Sequence, residues 1–176
     1  MTVTIRRALP ADARALAAVA AATFALACPP GTTQADIDDF IASTLSEERF
    51  VHYLADPERD IRLAIHDGVA AGYTMLVFGE PSNTDAAAAV TARPTVELSK
   101  VYVLGDRHGA GVAAPLMAAT LEVARERQVA SVWLGVNQHN SRAIRFYEKS
   151  GFSVVGTKTF VVGSELHHDH VMLSVL

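Results

Sequence analysis

The sequence predicts an α+β fold: a mixed, mostly antiparallel central sheet of about seven strands, flanked by about four helices. Three observations carry this. A strand at 95–104, a helix after Gly111 and an apolar strand at 131–136 read as a β-α-β crossover, which gives one parallel pair. Strands 61–65 and 69–78 flank His66-Asp67-Gly68, where Asp-Gly supplies the positive φ of a tight antiparallel hairpin. Two further strands, near 152–162 and 168–175, close the chain with no helix between them.

Residues 2–9 read as the first strand, with Val3 and Ile5 alternating against polar neighbours. Pro10-Ala11-Asp12 opens a helix carrying Leu16, Val19 and Ala20, and Cys28-Pro29-Pro30-Gly31 breaks it. A second helix spans about 34–46, with Ile37, Phe40, Ile41 and Leu45 as its inner stripe. The polar segment 56–60 leads into the hairpin, and 79–94 is a long loop with room for a short alanine helix at 85–90. The crossover helix runs to about Gln128 with Leu116, Thr120 and Val123 inward. Asn140 caps a last helix that stops at Ser150-Gly151. With no repeat and no linker, 1–176 reads as a single domain.

Composition removes several function classes. A net charge of -4, with arginines and acids interspersed and no basic tail, argues against nucleic acid as a partner. No run approaches the ~18 uninterrupted apolar residues of a membrane helix. Arg6 and Arg7 stand where a signal peptide would put its apolar stretch, so a cytoplasmic protein without a membrane partner is expected. The single cysteine, Cys28, excludes an internal disulfide and a multi-cysteine zinc site, and reads as a small apolar residue. In His167-His168-Asp169-His170 only His168 and His170 could share a strand face, so the run reads as a polar turn into the final strand and no metal site is expected.

Chemistry concentrates between Val101 and Met117. Gly105, Gly109 and Gly111 lie between a strand and a helix, where backbone N–H groups and the helix N-terminus can receive a phosphate. No Gly-Lys-Ser/Thr comes after them, and the Gly-x-Gly-x-x-Gly spacing is absent, so this is neither a P-loop nor a dinucleotide fingerprint. The stretch His108-Gly109-Ala110-Gly111-Val112-Ala113 is succeeded, in order, by Asn140-Ser141-Arg142-Ala143-Ile144-Arg145-Phe146-Tyr147 and Gly151-Phe152. Together they resemble the two signatures of the GNAT superfamily of acyl-CoA-dependent N-acyltransferases. Two positions depart from its pattern. His108 stands where Gln or Arg is usual, and Pro115 removes one N–H early in the phosphate-facing helix. A narrower likeness, carried by 97–104, 133–137, Phe160, Gly163 and Asp169, is to bacterial spermidine/spermine-type N-acetyltransferases.

The resemblance implies acetyl-CoA as cosubstrate. It implies that backbone groups of Val101, Tyr102 and Val103 pair with the pantetheine arm, and that His108, Gly109, Ala110, Gly111, Val112, Ala113 and Ala114 hold the pyrophosphate. Asn140 would touch the pantetheine, besides capping its helix. Tyr147 would protonate the departing thiolate; otherwise it is an aromatic packing one turn from Ala143. An attacking amine is mostly protonated near neutral pH, so a base is needed. Glu97 is the candidate, acting through a water, or else it is a solvated strand-end charge. Strict alternation would put Glu97, Ser99, Val101 and Val103 on one face. Arg142, Arg145 and Lys149 share a helical stripe, which could reach cofactor phosphates but reads first as a solvated face.

The leading reading is transfer of the acetyl group to a primary amine of a small molecule, polyamine-like, by direct attack in a ternary complex. Acetylation of protein or peptide amino groups, and an acyl-CoA-binding module without turnover, are the alternatives. Tyr147 and Glu97 speak against the module, which has no use for an acid and a base around a thioester. Asp36, Asp38, Asp39, Glu47 and Glu48 could attract a polycation or form the wet face of a helix. A homodimer exchanging final strands is compatible with the sequence.

Overall fold

A computed structural model describes residues 2–176, apart from the side chains of Phe160 and Val162. The Phe160 side chain of the narrower likeness therefore lies outside the described residues. The strands are β1 Val3–Arg7, β2 Arg59–His66, β3 Val69–Phe78, β4 Thr95–Val103, β5 Ser131–Asn137, β6 Ser153–Val162 and β7 Glu165–Val175. They form one sheet in the order β1-β2-β3-β4-β5-β7-β6. Every pairing is antiparallel except β4 with β5, the expected crossover. Asp67 and Gly68 both have positive φ, 50° and 81°, as the tight hairpin requires.

Six α-helices are described rather than about four: α1 Ala13–Ala27, α2 Gln34–Thr44, α3 Glu47–Ala55, α4 Thr84–Ala89, α5 Ala113–Glu126 and α6 Ser141–Lys149. The helix missing from the sequence reading is α3. Its boundary with α2 is only Leu45-Ser46, and the Ser46 hydroxyl accepts from the Arg49 N–H to start a new helix. Phe50 then anchors α3 in the core. The short alanine helix is present as α4, capped by Asn83. The run 167–170 is not a turn. It lies inside β7, because β6 pairs with it residue by residue from Val162 opposite Glu165 to Thr157 opposite His170.

The stretch Pro10–Ala27 has the length and apolar content of a membrane span. Leu16, Val19, Ala20, Thr23 and Phe24 nevertheless form a buried face of α1 in the core. Two layers cover the sheet. On one side α1, α2 and α3 bury Leu16, Phe24, Phe50 and Leu45 against Leu63, Tyr73 and Met75. On the other, α5 buries Met117, Leu121 and Val123 against Leu76, Val96, Leu98 and Val132, with α6 packed alongside. Buried hydroxyls of Thr74 on β3 and Thr120 on α5 meet at 2.6 Å and fix α5 on the sheet.

Strand β4 is irregular in two ways. Lys100 lies opposite Met75 and Leu98 opposite Leu76, so Ser99 is an extra residue, a β-bulge. Beyond it the faces exchange: Leu98 and Val101 pack on the α5 side, whereas Tyr102 packs with Tyr73 on the α1 side. The expected shared face of Glu97, Ser99, Val101 and Val103 is thereby corrected, because the bulge groups Glu97 with Lys100 and Tyr102 instead. Second, β4 and β5 pair only at Thr95–Ser131, Val96–Val132 and Glu97–Trp133. From Leu98 onward the strands separate, which leaves one backbone edge of β4 without a neighbouring strand.

Candidate active site

The gap between β4 and β5 opens into two adjoining cavities. The outer, about 510 Å³, is lined by Thr23, Leu26, Val101, Tyr102, Val103, Gly105, His108, Ala113, Asn140, Arg142, Phe146 and Tyr147 among others. The inner, about 250 Å³, includes Phe24, Cys28, Phe40, Glu97, Lys100, Lys158 and Asp169. Val101, Tyr102, Asn140, Ala143 and Tyr147 line both, so the cavities meet where the unpaired edge of β4 faces α6. The outer volume lies within the usual range for small-molecule sites.

Of the residues singled out in the β4–α5 loop, His108 and Ala113 line the outer cavity, whereas Gly109, Ala110, Gly111, Val112 and Ala114 do not. Gly109 and Gly111 have φ of 84° and 75°, a left-handed backbone that only glycine adopts freely. Val112 is buried with Ala64, Ala71, Val103 and Leu116, so its side chain belongs to the core and only its backbone is open to a ligand. No side chain caps the N-terminus of α5, leaving first-turn N–H groups for an anion. Pro115 is the third helical residue, a position whose N–H has no intrahelical partner to lose. His108 turns back onto β4, with its Nε2 2.8 Å from the Val103 carbonyl oxygen. That ring is engaged by the strand rather than aimed at a phosphate.

Asn140 Oδ1 accepts from the Ala143 N–H at 3.2 Å and so caps α6. Tyr147 packs its ring against Phe146 and Phe152 at 5.7 and 6.0 Å, and burial pushes its hydroxyl up to about 12. Arg142 lines the outer cavity, whereas Arg145 and Lys149 are exposed and line neither.

Glu97, the last β4 residue paired with β5, lines the inner cavity only. Burial raises its carboxyl above the ordinary carboxylate value, opposed by the positive charges of Lys158, Lys100 and Arg59. Burial lowers Lys100 to about 8, with Glu97 opposing. Lys158 and Asp169 face each other across β6 and β7 and form an ion pair at 3.6 Å. Burial raises the Asp169 carboxyl, and Lys158 draws it back. Sequence reasoning assigned no role to Lys100, Lys158 or the inner aromatics Phe24 and Phe40. One available signal was Gly135, a glycine inside an apolar strand, which marks a close approach. A Cβ there would collide with Lys158 Cε. The acids Asp36, Asp38, Asp39, Glu47 and Glu48 line neither cavity.

Comparison with known proteins defines the class. The sequence profile of the Acetyltransferase (GNAT) family matches residues 27–152. An uncharacterised N-acetyltransferase of Mycobacterium tuberculosis is 47% identical over 165 residues, covering 94% of this chain and 98% of the relative. Another, from Lactobacillus delbrueckii subsp. lactis, is 25% identical over 160 residues, covering 90% and 89%. Among solved structures, the PaiA N-acetyltransferase of Thermoplasma acidophilum in complex with coenzyme A superposes with a TM-score of 0.78 at 19% identity, covering all of both chains. A ribosomal-protein-alanine N-acetyltransferase of Brucella melitensis gives 0.70 at 24% identity, covering 98% and 99%. The chain belongs to the GNAT acetyltransferase family. It is an acyltransferase, an acetyl-CoA-dependent N-acetyltransferase.

Proposed function

We propose that the protein, as one catalytic domain, transfers the acetyl group of acetyl-CoA to a primary amine of a small molecule by direct attack with both bound. The observation that carries this reading is the open edge of β4, which runs past two cavities that join at Tyr147. Backbone groups of Val101 and Tyr102 pair with the pantetheine amides as a missing strand would, the Val103 carbonyl being taken by His108. The loop Gly109–Ala114 and the uncapped α5 N-terminus receive the pyrophosphate, and Arg142 adds a cation at that cavity. Asn140 offers its amide nitrogen while its oxygen caps α6.

Acetyl-CoA supplies an activated thioester. Glu97 takes the proton of the acceptor ammonium, directly or through a water, so that the neutral nitrogen forms the N–C bond as the C–S bond breaks. Tyr147 gives its proton to the leaving sulfur, and the second proton that the nitrogen sheds as the amide forms restores the phenol. A polyamine-like acceptor, implied by the narrower likeness, has support from Glu97 and Asp169 in the inner cavity. Lys100 and Lys158, which line the same cavity, offset both charges.

The test is thiol release from acetyl-CoA across polyamines, amino acids, aminoglycosides and peptide N-termini, measured beside acetyl-CoA binding. Release with at least one small amine is expected. Tight acetyl-CoA binding without release, or release only with peptide N-termini, would overturn the reading.

A further inference from the structure

The inner cavity carries an ammonium, that of Lys100, without a carboxylate in direct contact. The Ser99 bulge brings Lys100 to the face that carries Glu97, and both line the inner cavity. The Lys100 ammonium lies 3.5 Å from the Ser99 hydroxyl and 5.8 Å from the centroid of the Tyr53 ring. Among the described residues no carboxylate lies within ion-pairing distance of it. The neighbouring cations are differently provided for. Arg59 is held by Asp56 at 3.0 Å and stacks on Tyr53, and Lys158 is paired with Asp169. An ammonium partly withdrawn from water with no carboxylate in contact is costly, and its place on a cavity wall points to a partner that arrives with the ligand.

Resting on the acetyl-transfer reading, we propose that the acceptor is a small amine that also carries a carboxylate, which Lys100 receives while Glu97 receives the amine. The charge pattern favours this over a polycation. Glu97 and Asp169 against Lys100 and Lys158 sum to zero, so a second ammonium gains no net attraction. A zwitterion instead meets both ends of the Glu97–Lys100 pair with opposite charge. Burial, helped by the charge of Arg59, holds Lys100 down to about 8, and Glu97 only partly offsets them.

The experiment compares matched acceptors: leucine with isopentylamine, phenylalanine with phenethylamine, 4-aminobutanoate with propylamine, and putrescine and spermidine beside them. Thiol release is monitored for the unaltered protein, Lys100→Met and Lys100→Arg. One carboxylated acceptor should exceed its counterpart in kcat/KM by ~10–100-fold, the worth of a charge-assisted hydrogen bond. Lys100→Met should erase that preference, read as the ratio of the two acceptors within the variant because losing the cation also raises Glu97, and Lys100→Arg should keep part of it. Best turnover with spermidine or a plain amine, or an undiminished preference in Lys100→Met, overturns the proposal. If no acceptor releases thiol, binding of the same pairs to the coenzyme A-loaded protein decides. A Lys100-dependent preference for a carboxylated member then upholds this proposal while the transfer reading fails, and equal binding of both members overturns it.

Discussion

Lys158 lies across Gly135, its methylene chain occupying the space of a side chain on β5 while its ammonium sits 3.6 Å from Asp169. One glycine thus lets a β6 cation reach over β7 into the inner cavity. Lys158→Met should remove the partner of a carboxylate that is only 5% exposed. The expected loss is ~3 kcal/mol at neutral pH, the lower end for breaking a buried pair. Burial already raises the Asp169 carboxyl and Lys158 opposes that, so the variant's carboxyl rises further. A group whose folded value is raised contributes its stability below the unfolded value and loses it as pH rises. The deficit should therefore shrink as pH falls through the carboxylate range, read by urea unfolding at several pH values. A deficit independent of pH would show that Asp169 is not the group left uncompensated. Gly135→Ala should give a milder version, because the flexible Lys158 can move aside.

Gly111→Asp tests the anion site. A substitution at a φ of 75° is strained, although no neighbouring atom lies within 4 Å of the new Cβ. Gly111→Ala carries that strain without charge. Acetyl-CoA affinity should fall about 10-fold or more for Asp and less for Ala, because a carboxylate opposes phosphate at a helix N-terminus. S-acetylpantetheine, which lacks the pyrophosphate, should bind both variants alike. Calorimetry showing an equal loss for both ligands would move the phosphate elsewhere.

Sequence spacing made the sheet legible because its signals are local. Asp67-Gly68 fixed a hairpin, Asn140 and Gly151 bounded α6, and the glycines before α5 marked a left-handed turn between strand and helix. What escaped depends on register. Alternation cannot reveal that Ser99 is an extra residue, since the bulge is set by how β4 lies against β3. Glu97 therefore keeps company with Lys100 rather than Val101. The inner cavity escaped for a similar reason: Lys158 and Asp169 come from strands that reach it only through the order β5-β7-β6. The start of α3 escaped because its signal, one serine two residues past α2, resembles a loop.

Glu97→Gln addresses the base. Burial raises the Glu97 carboxyl, so the acid limb of kcat/KM should lie above the ordinary carboxylate range. The deficit of the Gln variant should be largest near neutral pH, where Glu97 is ionised and the amine arrives protonated. That deficit should narrow as pH climbs toward ~10.4, where an alkyl amine arrives already neutral. Lys158→Met withdraws the largest opposing positive charge and should move the acid limb upward. A Gln variant whose deficit stays constant from pH 6 to 10 would make Glu97 a binding group rather than a proton acceptor.

Tyr147→Phe isolates the acid. Burial pushes the hydroxyl up to about 12, so Tyr147 holds its proton across any working pH and no basic limb near neutrality belongs to it. The ring contacts with Phe146 and Phe152 survive the change, and deleting one hydroxyl should cost no more than ~1 kcal/mol of stability. Acetyl-CoA affinity should be retained. Removing a positioned general acid lowers rate by ~10²–10⁴-fold. A thiolate leaves without a proton more readily than an alkoxide does, so the fall in kcat should sit near the lower limit. Single-turnover thiol release separates the chemical step from product release, and the loss should appear in that step. Full single-turnover rate in Tyr147→Phe would leave Tyr147 as a wall shared by the two cavities, and the sulfur's proton would have to come from solvent.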